Sequence, residues 1–135
     1  MAKFYLLDTN ILIAALKRNP LVIEQLQRIP EDSLRLSTVV LGELYFEAEK
    51  SQFVERNRAK MDSLVHRFIQ VGVDQITADC YGRIRAALEK QGTPIGANDL
   101  WIAAQALSID ATLVTDNQRE FDRVTGLTLE NWLHS

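Results

Sequence analysis

The stretch Lys3–Ile13, KFYLLDTNILI, constrains the fold more than any other part of the chain. Phe4 to Leu7 are apolar and β-favouring without alternation, the pattern of a strand buried on both faces in a helix-covered parallel sheet. The run breaks at Asp8-Thr9-Asn10, and a second apolar run from Ile11 to Ala14 opens a helix. A carboxylate is thereby set at the carboxyl end of a buried strand, where open α/β sheets bind their ligands. Taken alone, such a triplet is what a helix cap looks like. Other acids at equivalent places would make it more than that.

The rest of the chain repeats the alternation. Helical spacing or stop signals predict helices over Ile11–Lys17, Leu21–Ile29, Val39–Lys50 (capped by Thr38), Gln52–Phe68, Ala78–Gln91, Asn98–Ser108 and Gln118–Val124. Gly92 with Pro94 beyond it closes the fifth of these. Pro30–Ser33 reads as a loop. Strands are expected at Leu34–Ser37, Ile69–Val73 and Thr112–Thr115, with a last extended piece near Leu127–Leu129. Strands alternating with helices mean an α/β fold, a mainly parallel sheet sandwiched by helices, and 135 residues suit one domain over 1–135.

Composition removes several classes of chemistry. The one cysteine, Cys80, has no partner for an internal disulfide, and His66 and His134 are too few for a histidine metal site or a Ser-His-Asp triad. No apolar run approaches the roughly 18 residues of a membrane span, and no basic-then-apolar leader is present. A cytoplasmic protein without a membrane partner is therefore expected. The net charge of −3 argues against a general nucleic-acid coat but not against an acidic catalytic centre with a basic rim.

Three further acids stand out. Glu43 interrupts an almost continuous apolar helix, VVLGELYF, and the neighbouring Gly42 leaves room for something to approach. Asp99 falls on the first turn of the apolar helix after GTPIGA, where Asn98 competes for the capping role. Asp116 follows the β-rich TLVT and has Asn117 close behind, repeating the arrangement at Asp8 and Asn10. If the sheet pairs the first strand with Thr112–Thr115, Asp8 and Asp116 meet at one edge. Clustered carboxylates repel unless a proton or a cation neutralises them. Without His or Cys in company, the fitting cation is hard and oxygen-loving, Mg²⁺ or Mn²⁺. Such a site activates water and stabilises charge on a phosphodiester, with no covalent nucleophile from the protein.

The segments LLDTNILI, STVVLGELYFEAEKS, PIGANDLWIAAQAL and LVTDNQREFDRVTGL, in register from Phe4 to Trp132, together resemble PIN-domain ribonucleases. Among these they are most similar to the VapC toxins of bacterial type II (VapBC) toxin–antitoxin modules. The resemblance implies a PIN-like α/β/α sandwich, a Mg²⁺- or Mn²⁺-dependent acidic pocket at the carboxyl edge of the sheet, and RNA cleavage by in-line attack of water, leaving a 5′-phosphate. It assigns catalysis and metal binding to Asp8, Glu43, Asp99 and Asp116, and supporting positions to Thr9, Asn10, Thr115 and Asn117. Asp116 is left open as a direct ligand, a ligand through water, or a neighbour of Asn117. Asp122, in REFDRV, reads more naturally as a solvated helix face.

The same resemblance implies initiator tRNA, cut in the anticodon stem-loop, as the leading substrate. It also implies a VapB-type antitoxin partner, a homodimer and a higher-order toxin–antitoxin complex. Ile11, Leu12, Leu44, Tyr45 and Phe53 are candidates for the antitoxin-facing surface, each equally suited to the core; Trp101 and the 76–91 helix are candidates for dimerisation. Lys50, Arg56, Arg58, Lys60, Arg83, Arg85, Lys90, Arg119 and Arg123 are available for phosphates, although the run Glu49–Lys60 reads mostly as a solvated helix face. Three rivals stand beside this reading. An aspartyl phosphatase needs a second Asp two residues after the first and a downstream Lys; Asn10 stands there, and no Lys lies near Asp116. The others are a PIN nuclease with another RNA target and a non-catalytic binding or co-repressor protein.

Overall fold

The second half of the apolar run Phe4–Leu7 lies in the buried middle of the sheet: Leu6 and Leu7 have no exposed surface, and neither do their neighbours Leu113 and Val114. The computed structural model describes residues 3–134. Strands β1 (Phe4–Leu7), β2 (Leu34–Ser37), β3 (Ile69–Val71), β4 (Ala111–Val114) and β5 (Leu129–Glu130) form one parallel sheet in the order β3-β2-β1-β4-β5. The chain moves from β1 outward through β2 to β3, then returns to the other side of β1 for β4 and β5. This reversal makes the β1–β4 boundary the switch point of the sheet, the place where a crevice opens at the carboxyl ends. The register pairs Leu7 with Val114, so Asp8 and Thr115 leave the sheet side by side.

The helices are α1 (Thr9–Leu16), α2 (Pro20–Arg28), α3 (Thr38–Glu49), α4 (Val54–Val65), α5 (Gln75–Gln91), α6 (Ala97–Ser108) and the short α7 (Gln118–Phe121). A 3₁₀ turn, Glu31–Ser33, stands where the loop was expected. Helix α6 is the most deeply buried, with Leu100, Ile102, Ala103, Ala104 and Ala106 in the core; its alanines let it lie close against the sheet. Ile11, Leu12 and Leu44 also belong to this core, so they offer no surface to a partner. None of the described helices is long and apolar enough to cross a membrane.

The differences from the sequence reading lie at element ends. Ser37, not Thr38, caps α3, its hydroxyl accepting from Val39 N–H (3.0 Å) and Val40 N–H (3.3 Å). Asp74 caps α5 by accepting from Thr77, which starts that helix at Gln75 instead of Ala78. Gly96, not Asn98, precedes α6. Helix α4 is shorter at both ends than Gln52–Phe68: exposed Phe53 becomes its cap and Phe68 packs into the core after it. The edge strands are short, β3 ending at Val71. The left-handed turn at Gly126 (φ 85°) delays β5 to Leu129.

One buried polar group ties these layers together. Gln105 of α6, with no exposed surface, accepts from Ser37 Oγ and donates through Nε2 to Val71 O (3.0 Å) and Gly72 O (3.2 Å). The start of α3, the end of β3 and the middle of α6 thus meet at a single amide, whose polar atoms are all satisfied as burial demands.

Candidate active site

Asp8 is 5% exposed, and each of its oxygens is held by a threonine. Thr9 N–H donates to Oδ1 (2.8 Å) and Thr115 Oγ1 donates to Oδ2 (2.7 Å). Thr9 reaches in a second direction as well: its hydroxyl donates to Glu43 Oε1 (2.9 Å). One residue of the DTN triplet therefore couples the strand-end acid to the acid of α3, which is half-buried. A Cβ at Gly42 would meet nothing within 4 Å, and Gly42 lines the open cleft between α1, α3 and the start of α6, about 530 Å³ and lined also by Thr9, Glu43 and Asn98.

On the other side of Asp8 the network continues through Asn117, whose N–H donates to Thr115 Oγ1 (3.0 Å) and whose side-chain amide donates to Glu120 Oε2 (2.8 Å). Glu120 Oε1 accepts from Gly96 N–H (3.0 Å), at the mouth of α6. Asp99, on the first turn of that helix, comes up beside Glu120: both carboxylates border Gly96, Asp99 Oδ2 and Glu120 Oε1 lying 3.7 and 4.0 Å from where a Cβ there would stand. Burial, followed by the charges of Glu120, Asp8 and Glu43, pushes the Asp99 carboxyl up to about 7. Asp8 is also raised, chiefly by burial, against the pull of its two threonine hydrogen bonds. Burial acts on Glu120 too, but Gly96 N–H, Asn117, the Asp99 proton and the Arg123 charge outweigh it and hold that carboxyl low.

The acids at the carboxyl edge are thus Asp8, Glu43, Asp99 and Glu120, joined through Thr9, Thr115 and Asn117. Glu120 was not visible as a site residue in the sequence. Its signal was the spacing Asn117-x-x-Glu120, a capping-box pattern, directly before the fully buried Phe121 that pins α7. Asp116 goes elsewhere. Its backbone N–H is held by Asn10 Oδ1 (3.2 Å), and its exposed carboxylate accepts from Asn131 Nδ2 (3.0 Å) and lies 3.2 Å from His134 Nε2. Asn10 therefore fixes the turn after β4 and makes no hydrogen bond to Asp8. Asp122 ends α7 on the exposed side.

This donor set is all oxygen. Among the described residues, no three His, Cys, Asp or Glu side chains already surround a single point as ligands would. Burial, with the charge of the neighbouring acids, holds the Asp99 carboxyl up. Hard oxygen donors under mutual repulsion fit a divalent cation such as Mg²⁺ or Mn²⁺.

Among the basic residues, Lys50, Arg58, Arg83 and Arg85 are engaged by Glu47, Glu49, Asp79 and Glu89. Trp101 stacks on Tyr81 within the chain, ring centroids 3.8 Å apart, so one of its faces is covered.

Comparison with known proteins gives one consistent answer. Residues 5–127 match the PIN domain family. The chain is 43% identical over 131 residues to "Ribonuclease VapC2" of Haemophilus influenzae, covering 96% of this chain and 98% of the relative. It is 42% identical over 132 residues to the "tRNA(fMet)-specific endonuclease VapC" of Shigella flexneri, covering 98% and 99%. Its fold is similar to that in the crystal structure of VapBC2 from Rickettsia felis bound to a DNA fragment from their promoter, with a TM-score of 0.91, 37% identity, and 96% and 98% of the two chains covered. With acids gathered at the switch point of the sheet and a family match over nearly the whole length, the protein belongs to the PIN-domain family.

Proposed function

We propose that this protein is a divalent-metal-dependent endoribonuclease of the VapC kind, a toxin that inhibits translation by cutting a specific RNA. The leading target is initiator tRNA in its anticodon stem-loop. The observation that carries the reading is the hydrogen-bonded chain Glu43–Thr9–Asp8–Thr115–Asn117–Glu120, with Asp99 beside its end, its acids gathered around the switch point and no serine, cysteine or histidine nucleophile in it. The identity to relatives named for ribonuclease and tRNA(fMet) endonuclease activity supports the choice of RNA.

Asp8, Glu43 and Asp99 are the residues that would hold the cation, with Glu120 in the fourth place that the sequence suggested for Asp116. A bound Mg²⁺ or Mn²⁺ supplies Lewis-acid stabilisation of the charge developing on the phosphodiester. The protein's own part is positioning. Thr9 and Thr115 fix both oxygens of Asp8, and Thr9 sets the spacing from Asp8 to Glu43. Asp99 has to be deprotonated to serve as a ligand, so cation binding would strengthen as pH rises through about 7. A VapB-type antitoxin is the proposed partner, supported by the likeness to VapBC complexes, and a homodimer is the proposed assembly.

Purified protein, free of antitoxin, is incubated with total bacterial RNA and Mg²⁺ or Mn²⁺, then with EDTA, and new 5′-phosphate ends are mapped. The expected result is a discrete cut in one tRNA, lost in EDTA and absent from an Asp8→Asn preparation. RNA left intact by the wild type across a range of metals would overturn the nuclease reading and favour a binding protein.

A further inference from the structure

Two phenylalanines on this protein are exposed beside cations, and one of them borders the acidic cleft. Phe46 follows Glu43 by three residues on α3 and therefore shares its helix face; it is 63% exposed, lines the cleft with Glu43 and Thr9, and carries Lys50 Nζ 5.0 Å from its ring centre. Phe53, at the start of α4, is 57% exposed, with the Arg56 guanidinium 5.8 Å from its ring.

Glu47 also borders a second hollow of about 270 Å³, lined by Ile13, Leu16 and Ala48. Leu16 and Lys60 of that hollow also border a groove of about 650 Å³ between the α1–α2 corner and α4. Arg18, Arg56, Lys60 and Arg67 line this groove, and no carboxylate does. Arg67 is engaged by Glu31, whereas Arg18, Arg56 and Lys60 have no acidic partner within 4.0 Å among the described residues. Carboxylates and the exposed Phe46 thus line one hollow on this side of the molecule, and uncompensated cations line another beside it.

Exposed aromatic faces interleaved with cations are the means by which proteins hold unpaired nucleic acid: bases stack on the rings and phosphates lie along the cations. Duplex strands keep their base faces stacked on one another and have none to offer a ring. We propose that Phe46 is the stacking platform for an unpaired base next to the scissile phosphate, and that Arg18, Arg56 and Lys60 hold the backbone of the same RNA strand leading away from it. These are positioning residues, and the assignment deepens the ribonuclease reading, on which it rests.

The test separates the two. Binding of a fluorescein-labelled single-stranded RNA is measured by anisotropy in EDTA, on Asp99→Asn protein, so that no cleavage intervenes. Phe46→Ala raises Kd about tenfold, Phe46→Trp restores it, and Phe46→Leu, which keeps apolar area but has no π face, does not. The double variant Arg56→Ala/Lys60→Ala weakens binding and lowers the slope of log K against log salt by roughly 1.4, as expected for two lost single-strand phosphate contacts. In otherwise wild-type protein with metal, Phe46→Ala raises KM with kcat unchanged. Equal affinity of Phe46→Ala and its parent, Phe46→Leu binding like the parent, or equal binding of duplex RNA overturns the platform. If RNA binding is untouched while Phe46→Ala releases a VapB-type antitoxin, this side is a protein-docking face and the proposal fails. Cleavage that persists in either case leaves the ribonuclease reading standing; binding without any cleavage leaves the platform and removes the enzyme.

Discussion

Asp99→Asn should make the protein more stable. In the folded state the Asp99 carboxyl titrates at about 7, against an ordinary value of 3.8, because burial and the charges of Glu120, Asp8 and Glu43 disfavour its ionised form. The folded chain therefore binds more protons than the unfolded chain between those values, and stability falls as pH rises from about 4 to about 7. Roughly three pH units at about 1.4 kcal/mol each give a ceiling of about 4 kcal/mol. The site is open to water, whose screening reduces this to about 2 kcal/mol. Asparagine removes the charge, so the variant gains that amount at pH 8 and about a quarter of it at pH 4.5. Urea unfolding in EDTA at several pH values between these limits, followed by circular dichroism, measures both quantities. Asp8, raised in the same direction, adds slope to both proteins; Glu120, held low, contributes stability that is lost only as pH falls below its ordinary 4.5, at the acid end of the range. Mn²⁺ at pH 8 should then stabilise the wild type and not the variant, by mass action on the folded state. Equal stability of the two proteins at pH 8, or wild-type stability that is flat or rising from pH 4.5 to 7, would refute the account of the pocket as a seat of repulsion.

Glu120→Gln should lower cleavage about tenfold or more and bring the Asp99 titration down, whereas Asp116→Asn should leave kcat/KM within about twofold, because Asp116 faces Asn131 and His134. Thr115→Val removes the donor to Asp8 Oδ2 and the acceptor for Asn117 N–H at nearly constant shape. It should cost about 2–3 kcal/mol in denaturant unfolding and lower cleavage about 10- to 100-fold. Gln105→Leu orphans the carbonyls of Val71 and Gly72 and should cost about 2–4 kcal/mol by the same unfolding measurement.

The fold was legible because its central strands, Phe4–Leu7 and Thr112–Val114, are written as short apolar runs without alternation, the pattern of a sheet covered on both faces. Helix starts were less legible. Ser37 and Thr38 are both good caps, and the choice fell to Ser37 because its hydroxyl also meets Gln105, far away in sequence. Among the acids the structure gathers at the carboxyl edge, Asp8 could be read from its place at a strand end, Glu43 from breaking an apolar helix, and Asp99 from its place on a helix's first turn. Glu120 could not, since REFDRV reads as a solvated face and only the burial of Phe121 and the distant Gly96 N–H turn one of its acids inward. Asp116 was read by analogy with Asp8, but the Asn10 contact to its backbone fixes the turn from the neighbouring loop, a pairing that no local pattern records.

The buried amide of Gln105 has a mechanical corollary. Asp99 lies six residues before it on α6, and Glu43 lies six residues after Ser37 on α3, so each acid sits about 9 Å along its helix from one shared joint. The two helices work like the legs of a pair of dividers. A change of a few degrees at the joint alters the gape between their tips, and with it, on the proposed metal-dependent reading, the radius of the ion they would grip. On that reading, metal preference drifts through substitutions around Gln105 that never touch a carboxylate, and the ratio of Mn²⁺ to Mg²⁺ affinity in Gln105 and Ser37 variants is where that drift would be read.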